Sequence, residues 1–263
     1  MIRSTVFNLV FYGFTAIIAL TAWVLAKVST AERVWRVIHF WGWGTVRLVR
    51  LILNSRIEMR GFEHIDRTRP QLFVSKHQSE LDVILLPALL PGASAVAMQE
   101  LTRTPFFGTI LRKLDIVLVA IEQGPQGRTR QTIEGARRMM AQGRSMMIYP
   151  EGELMKLGAK ERYRRGAGHL YQAMGVEAVP VAASLGVIWP RREWRKYANV
   201  TGAIEFMEPI PPGLQFDAFM AEVERRIETR TMELIEEHAT GRRLEEARDR
   251  FARGANNERE LEG

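Results

Sequence analysis

There is no cysteine in the 263 residues, and that one absence removes disulfides, thiolate metal sites and a cysteine nucleophile together. No Gly-x-Ser-x-Gly elbow is present either, which speaks against a serine nucleophile and a covalent intermediate. Direct transfer between two bound substrates is the expectation that remains. His-Glu-x-x-His, a Walker loop and Gly-x-Gly-x-x-Gly are all missing, so no metal and no nucleotide cofactor is expected in the chemistry. Internal repeats and low-complexity linkers are absent as well. With 46% apolar residues the chain has ample material for a core and is not a disordered protein.

What the sequence does contain is His77-Gln78-Ser79-Glu80-Leu81-Asp82, followed some seventy residues later by Tyr149-Pro150-Glu151-Gly152. A neutral imidazole takes up a proton near pH 7, and a carboxylate beside it fixes the useful tautomer. Such a pair suits a reaction in which a hydroxyl loses its proton as its oxygen attacks, as when an acyl group passes from a thioester to an alcohol. Within one regular helix, five residues at about 100° each would leave His77 and Asp82 about 140° apart. The two can meet only if a strand near residues 72–75 leads into a loop carrying His77, and a helix begins near Ser79 with Asp82 in its first turn. A plainer reading competes, because Ser79-x-x-Asp82 is also a capping box, in which Asp82 only satisfies backbone donors at a helix start. The Pro-Glu-Gly turn tips the balance toward chemistry.

From residue 56 onward short apolar runs alternate with helical segments, which predicts an α/β fold with a mixed central sheet flanked by helices. Strands are expected at 56–60, 71–75, 93–98, 115–120, 145–149, 178–183 and 199–207, and helices near 79–89, 105–113, 128–142, 166–174 and 217–238. Pro180 lacks an N–H and is expected to end its strand at a sheet edge. Three segments result: N-terminal membrane-associated helices over 1–55, the α/β domain over 56–238, and a charged C-terminal tail over 239–263, frayed or disordered.

The net charge of +7 is not spread evenly. Residues 1–60 hold eight basic side chains (Arg3, Lys27, Arg33, Arg36, Arg47, Arg50, Arg56, Arg60) against Glu32 and Glu58, which is +6 of the total. That charge is interleaved with the most apolar part of the chain, a pattern that fits an anionic membrane better than nucleic acid. Residues 4–26 carry no charged side chain. At about 1.5 Å per residue they would just cross a hydrocarbon core of about 30 Å, and a helix lying in the interface is the alternative. If the segment spans, Lys27, Arg33 and Arg36 outnumber Arg3 and place the bulk of the protein on the cytoplasmic side of the inner membrane. Residues 31–53 read as a basic amphipathic helix with Trp35, Trp41 and Trp43 suited to the headgroup zone.

The chain resembles the glycerolipid acyltransferase family from about Ile57 to Glu237. The resemblance rests on Ser75-Lys76-His77-Gln78-Ser79-x-x-Asp82, Pro105-Phe106-Phe107-Gly108, Met147-Ile148-Tyr149-Pro150-Glu151-Gly152, Arg165-Gly166-Ala167-Gly168 and Val179-Pro180-Val181. It implies His77 as general base, Asp82 as its orienting partner, and Glu151 with Gly152 shaping the acceptor site, with Ser79, Arg165 and Gly166 as further substrate-binding positions. The implied donor is a fatty acyl thioester on coenzyme A or acyl carrier protein, a co-substrate rather than a resident cofactor. The implied acceptor is a lysolipid hydroxyl, with 1-acyl-sn-glycerol-3-phosphate going to phosphatidic acid. Two departures bear on that acceptor. The family continues Pro-Glu-Gly with Thr-Arg, where this chain has Glu153 and Leu154, and the arginine expected after Leu118-Val119-Ala120 is replaced by Ile121-Glu122. A charge-assisted phosphate contact is worth about 1.5–3 kcal/mol. Lys156, Lys160, Arg162, Arg164 and Arg165 are the candidates to replace it. An acceptor without a free phosphomonoester, or a non-catalytic lipid-binding protein on the same fold, are the alternatives.

Overall fold

The computed structural model describes residues 1–104 and 106–254, with backbone alone for Ile121 and Pro125. Two long helices, α1 (Ile2–Val28) and α2 (Ala31–Leu53), are separated by extended backbone at Ser29 and Thr30. Seven strands follow, β1 (Arg56–Arg60), β2 (Leu72–Ser75), β3 (Ser94–Met98), β4 (Val117–Val119), β5 (Met146–Ile148), β6 (Ala178–Ala183) and β7 (Thr201–Phe206), one at each apolar run that predicts a strand. They pair in the order β1-β7-β6-β2-β5-β3-β4. All neighbours are parallel except β6 and β7, so the sheet is mixed as expected. The remaining helices are α3 (Glu80–Leu89), α4 (Phe107–Lys113), α5 (Gly124–Ala141), α6 (Gly166–Met174), α7 (Phe216–His238) and α8 (Gly241–Arg253).

Alternation along the strands divides the core in two. Phe73, Met147, Val179 and Val181 face one side, where α1, α2 and α3 contribute Phe7, Phe11, Val49, Leu53, Leu81 and Leu85. Leu72, Val74, Met146 and Ala178 face the other, beneath Met139 of α5, Leu170 of α6 and Phe219 and Val223 of α7. The N-terminal helices therefore share a core with the sheet. Gly42 makes the approach of α2 to α3 possible, since a Cβ there would lie 2.4 Å from Cβ of Ala88. The chain leaves β2 toward the first face, into α3, and leaves β5 toward the second, into α6. Adjacent parallel strands that diverge in this way open a crevice at their carboxyl ends.

Among the described residues α1 is the one helix long and apolar enough to cross a membrane. It is also attached to the domain near both ends. Ser4 and Asn8 donate to the carbonyl of Trp194 at 3.2 and 2.8 Å, while Ala22 and Ala26 pack with Ile110 and Leu111. Its outer face stays apolar and open, with Leu9 and Ile17 exposed by 66% and 67%. Arg33, Arg36, Arg47 and Arg50 of α2 are exposed as the amphipathic pattern predicts.

Two expectations need correction. Pro180 sits inside β6, in the middle of the sheet, and not at an edge. Its carbonyl accepts from Met207 on the β7 side, so the missing N–H also faces that side. The ladder to β7 covers only Val181–Ala183, and pairing with β2 loses nothing. The second correction concerns the tail, because residues 241–253 form α8 docked on the domain. Leu244, Ala247 and Phe251 make an apolar stripe at helical spacing against Leu157, Val187 and Ile235. Arg243 and Arg250 donate to the carbonyls of Val187, Gly186 and Leu157. Gly158, at φ +79°, lets this contact form, since a Cβ would come within 2.2 Å of the Ala247 carbonyl oxygen. Residues 255–263 of the expected tail, and Pro105 of the expected helix start and motif, lie outside the described residues.

Candidate active site

The polypeptide emerging from β2 is the first wall of the crevice. Ser79 adopts extended backbone and caps α3, accepting from the N–H of Leu81 at 3.1 Å and donating to the carbonyl of Trp189 at 2.7 Å. Its hydroxyl thus ties the start of α3 to the Trp189 carbonyl and uses its one donor proton in doing so. Asp82, three residues on and fully buried, completes the capping box. Its Oδ2 accepts from the N–H groups of Gln78 and Ser79 at 2.7 and 2.8 Å, and meets Nδ1 of His77 at 3.2 Å. The two competing readings of Ser79-x-x-Asp82 are thus both true of one oxygen. Backbone donors fix the carboxylate, and the fixed carboxylate in turn accepts Nδ1–H, which leaves Nε2 as the free, basic nitrogen.

The second wall is the turn after β5. The Tyr149 ring stacks on His77 with centroids 4.2 Å apart, and its hydroxyl donates to the carbonyl of Asp82 at 3.0 Å. Burial, with the Asp82 and Glu151 carboxylates nearby, pushes that phenol well above its ordinary range, so it remains a donor. Glu151 is buried beside His77, and one oxygen accepts the His77 N–H at 3.4 Å. Burial drives its carboxyl up to about 7, against the pull of Lys76 and with a push from Glu228. Gly152 turns at φ +74°, and the Arg164 guanidinium lies over it, with Cζ 2.5 Å from where a Cβ would stand. The backbone holds that approach, since the N–H of Arg164 donates to the carbonyl of Pro150 at 2.8 Å.

Of the expected substrate-binding residues, Glu151, Gly152 and Ser79 line these two turns. Arg165 does not join them. Its guanidinium stacks 4.3 Å from the Phe216 ring and lies 4.0 Å from Asp217, toward the start of α7. Gly166 opens α6, where a Cβ would meet Ile148 at an ordinary 3.5 Å. Glu153 forms an ion pair with Arg191 at 3.6 Å, and Glu122 one with Arg103 at 2.9 Å. Lys160 sits over the Phe251 ring. The other histidines are elsewhere: His39 bonds to Ala88, His238 to Ser184, His64 lies by Glu63 and His169 by Phe216.

Three residues of the site carry no role in the sequence reading. Lys76, with no exposed surface, lies between Glu228 (2.7 and 2.9 Å), Glu151 (3.2 Å) and the carbonyl of Ala159 (3.0 Å). Tyr163 donates to Glu228 at 2.9 Å. The signal for Glu228 is present in hindsight: it shares the buried stripe of α7 with Val223, Ile227, Thr231 and Ile235. Around His77, Oδ1 of Asp82, Oε2 of Glu151 and the Gln78 amide have no hydrogen-bond partner among the described residues. Buried polar atoms of that kind are costly in a finished core and common where a substrate completes the set. Among the described residues no group of three or more acidic or histidine side chains gathers as metal ligands.

The acyltransferase family model matches residues 56–184, from the first strand to just past β6. The 1-acyl-sn-glycerol-3-phosphate acyltransferase of Pseudomonas aeruginosa is 27% identical over 197 residues, covering 74% of this chain and 76% of that one. The human alpha form is 26% identical over 168 residues, covering 62% of this chain and 58% of the relative, so the chain spans under three fifths of that protein's length. In fold, the 1-acyl-sn-glycerophosphate (LPA) acyltransferase PlsC of Thermotoga maritima is similar with a TM-score of 0.72 and 20% identity, over 89% of this chain and 96% of that one.

Proposed function

We propose that this chain, an O-acyltransferase of the glycerolipid acyltransferase type, moves a fatty acyl group from a thioester donor to the free hydroxyl of a lysolipid bearing a phosphate. The acceptor that fits best is 1-acyl-sn-glycerol-3-phosphate, named for the relatives, and the product is then phosphatidic acid. The observation that carries the chemistry is the 3.2 Å contact from Nδ1 of His77 to Asp82. It leaves Nε2 to take the hydroxyl proton as the acceptor oxygen attacks the thioester carbonyl. The same proton then goes to the departing thiolate of coenzyme A or of the carrier protein. Asp82 steadies the imidazolium formed between those steps.

The phosphate reading is supported by Arg164. Although Leu154 stands where the family has arginine, the exposed Arg164 guanidinium lies over Gly152, the residue after Glu151, from the other end of the same loop. A planar fork of donors there offers a bidentate seat for a phosphate. A second reading, an acceptor without a free phosphomonoester, is favoured by Glu153, which brings a carboxylate to the turn and occupies Arg191.

Attachment of α1 to the domain near both its ends, together with its open apolar outer side, supports a helix lying along the domain in one leaflet over one that crosses. The exposed arginines of α2 then face anionic headgroups on the cytoplasmic side of the inner membrane. The test is an acceptor screen with a labelled acyl donor on the purified protein in vesicles. Transfer to 1-acyl-sn-glycerol-3-phosphate well above that to neutral lysolipids is expected. A preference for the neutral acceptors would replace the first reading by the second.

A further inference from the structure

Beneath His77 lies a buried group of charges that acid–base chemistry at the imidazole does not itself require. Lys76 and His77 are consecutive and point to opposite sides of the chain: His77 into the crevice, partly open, and Lys76 into the interior with no exposed surface. One cation there faces two carboxylates, Glu151 from the turn after β5 and Glu228 from α7. The lysine is not shared equally. Glu228 takes it with both oxygens, at 2.7 and 2.9 Å, while Glu151 reaches it with one at 3.2 Å. Tyr163 adds a donor to Glu228 at 2.9 Å and holds that carboxylate in place. Glu151, by contrast, keeps one oxygen without a hydrogen-bond partner among the described residues.

Resting on the acyl-transfer reading, we propose that Glu228 is a positioning residue of this site: by holding Lys76 it leaves the Glu151 carboxyl under-neutralised against His77. Glu228 lies 152 residues beyond Lys76 and outside the segment matched by the family model. The consequence is electrostatic. A Glu151 carboxylate not fully claimed by Lys76 favours the imidazolium that forms when His77 takes the hydroxyl proton. Burial, offset by Lys76 and reinforced by Glu228, holds the Glu151 carboxyl at about 7, so its ionisation falls within the working range. The groups facing Glu151 are Lys76 just past β2, His77 before α3, Tyr149 and Tyr163 from the turn and loop after β5, and Glu228 on α7, with Asp82 beside Tyr149 and Glu224 beside Tyr163 as the next charges out.

The test is Glu228→Gln in the full-length protein in vesicles. This change takes the cluster from one cation and two anions to one of each, and the amide still accepts from Lys76 or Tyr163, so the variant folds. Lys76, released, closes on Glu151. The expected result is a fall in kcat of about tenfold with KM within about twofold, and an acid limb of the pH–rate profile about one pH unit lower. Glu228→Asp, which retains the charge, leaves the limb in place, as does Glu222→Gln nearer the start of the same helix. Independently of activity, a 13C-carboxyl titration of Glu151, assigned by its loss in Glu151→Gln, moves to lower pH in Glu228→Gln. An unmoved limb overturns the proposal, whatever happens to kcat, because a merely structural ion pair would lower the rate without shifting the limb; an unmoved Glu151 titration overturns it too, because Glu228 then does not set the charge on Glu151. If the wild type transfers no acyl group to any lysolipid, the acyl-transfer reading fails, and the carboxyl titration still decides whether Glu228 sets the charge on Glu151.

Discussion

The turns after β2 and β5 each bury one carboxylate beside His77, and they satisfy it in opposite ways. Asp82 is held by two backbone N–H groups and the imidazole, with no lysine or arginine bonded to it among the described residues. Glu151 has one long backbone contact to His77 and leans on a lysine that a third residue largely claims. Backbone donors cannot move, so Asp82 is fixed in position and fixes the imidazole in turn. A shared lysine can be redistributed, so what Glu151 contributes is adjustable charge. The first turn thus fixes geometry and the second carries the adjustable charge.

The comparison can be broken most severely at its shared member. His77→Ala removes the base and is expected to lower acyl transfer by about 10²- to 10⁴-fold, with thermal unfolding nearly unchanged because the side chain lines the crevice. Retained activity in a radiolabel assay would refute the assignment. Asp82→Asn sharpens the contrast: the amide oxygen still accepts from Gln78 and Ser79, so the cap survives, but the charge behind the imidazole is gone. The expected outcome is about 10²-fold lower kcat with a melting temperature close to wild type. A large fall in melting temperature alone, with activity per folded molecule unaltered, would leave Asp82 as a cap and nothing more.

On the second turn, Arg164→Ala is expected to reduce kcat/KM for 1-acyl-sn-glycerol-3-phosphate by about 10- to 100-fold, the loss of a charge-assisted phosphate contact. Lysolipids without a phosphomonoester should be affected hardly at all, so equal losses with both acceptors would remove Arg164 from headgroup recognition. The smallest effect concerns stability. An unfolded glutamate releases its proton near 4.5, whereas folded Glu151 keeps it to about 7. Between those values the folded state binds the extra proton, so this group favours folding at the acidic end and its contribution is lost as pH rises through the window. Denaturant titrations should show that slope in the wild type and a flatter one in Glu151→Gln. Identical slopes would mean that Glu151 ionises as it does in the unfolded chain.

Much of this was legible because it is local. The strand leading to His77 is a short apolar run, the helix after it is announced by Ser79-x-x-Asp82, and the Pro-Glu-Gly turn follows another buried strand. Residues 241–253 were harder, since their arginines and glutamates pair at i,i+4 and hide a three-residue apolar stripe that matters only once a surface exists to receive it. Pro180 misled for a related reason: whether a missing N–H is costly depends on which neighbour that side of the strand faces, and only the sheet order says so. Arg164 and Arg165 are adjacent and chemically identical, yet one lies over Gly152 and the other on Phe216.

The sequence by itself determined the strands, the apolar N-terminal helix with its basic companion, and the pairing of an imidazole with a carboxylate, because each is set by spacing along a few residues. Tertiary structure alone decided which arginine lies over Gly152 and how the charge of Lys76 is divided between Glu151 and Glu228. Those outcomes depend on side chains brought together from opposite ends of the domain into a low-dielectric interior, where differences of a few tenths of an ångström govern the balance between partners.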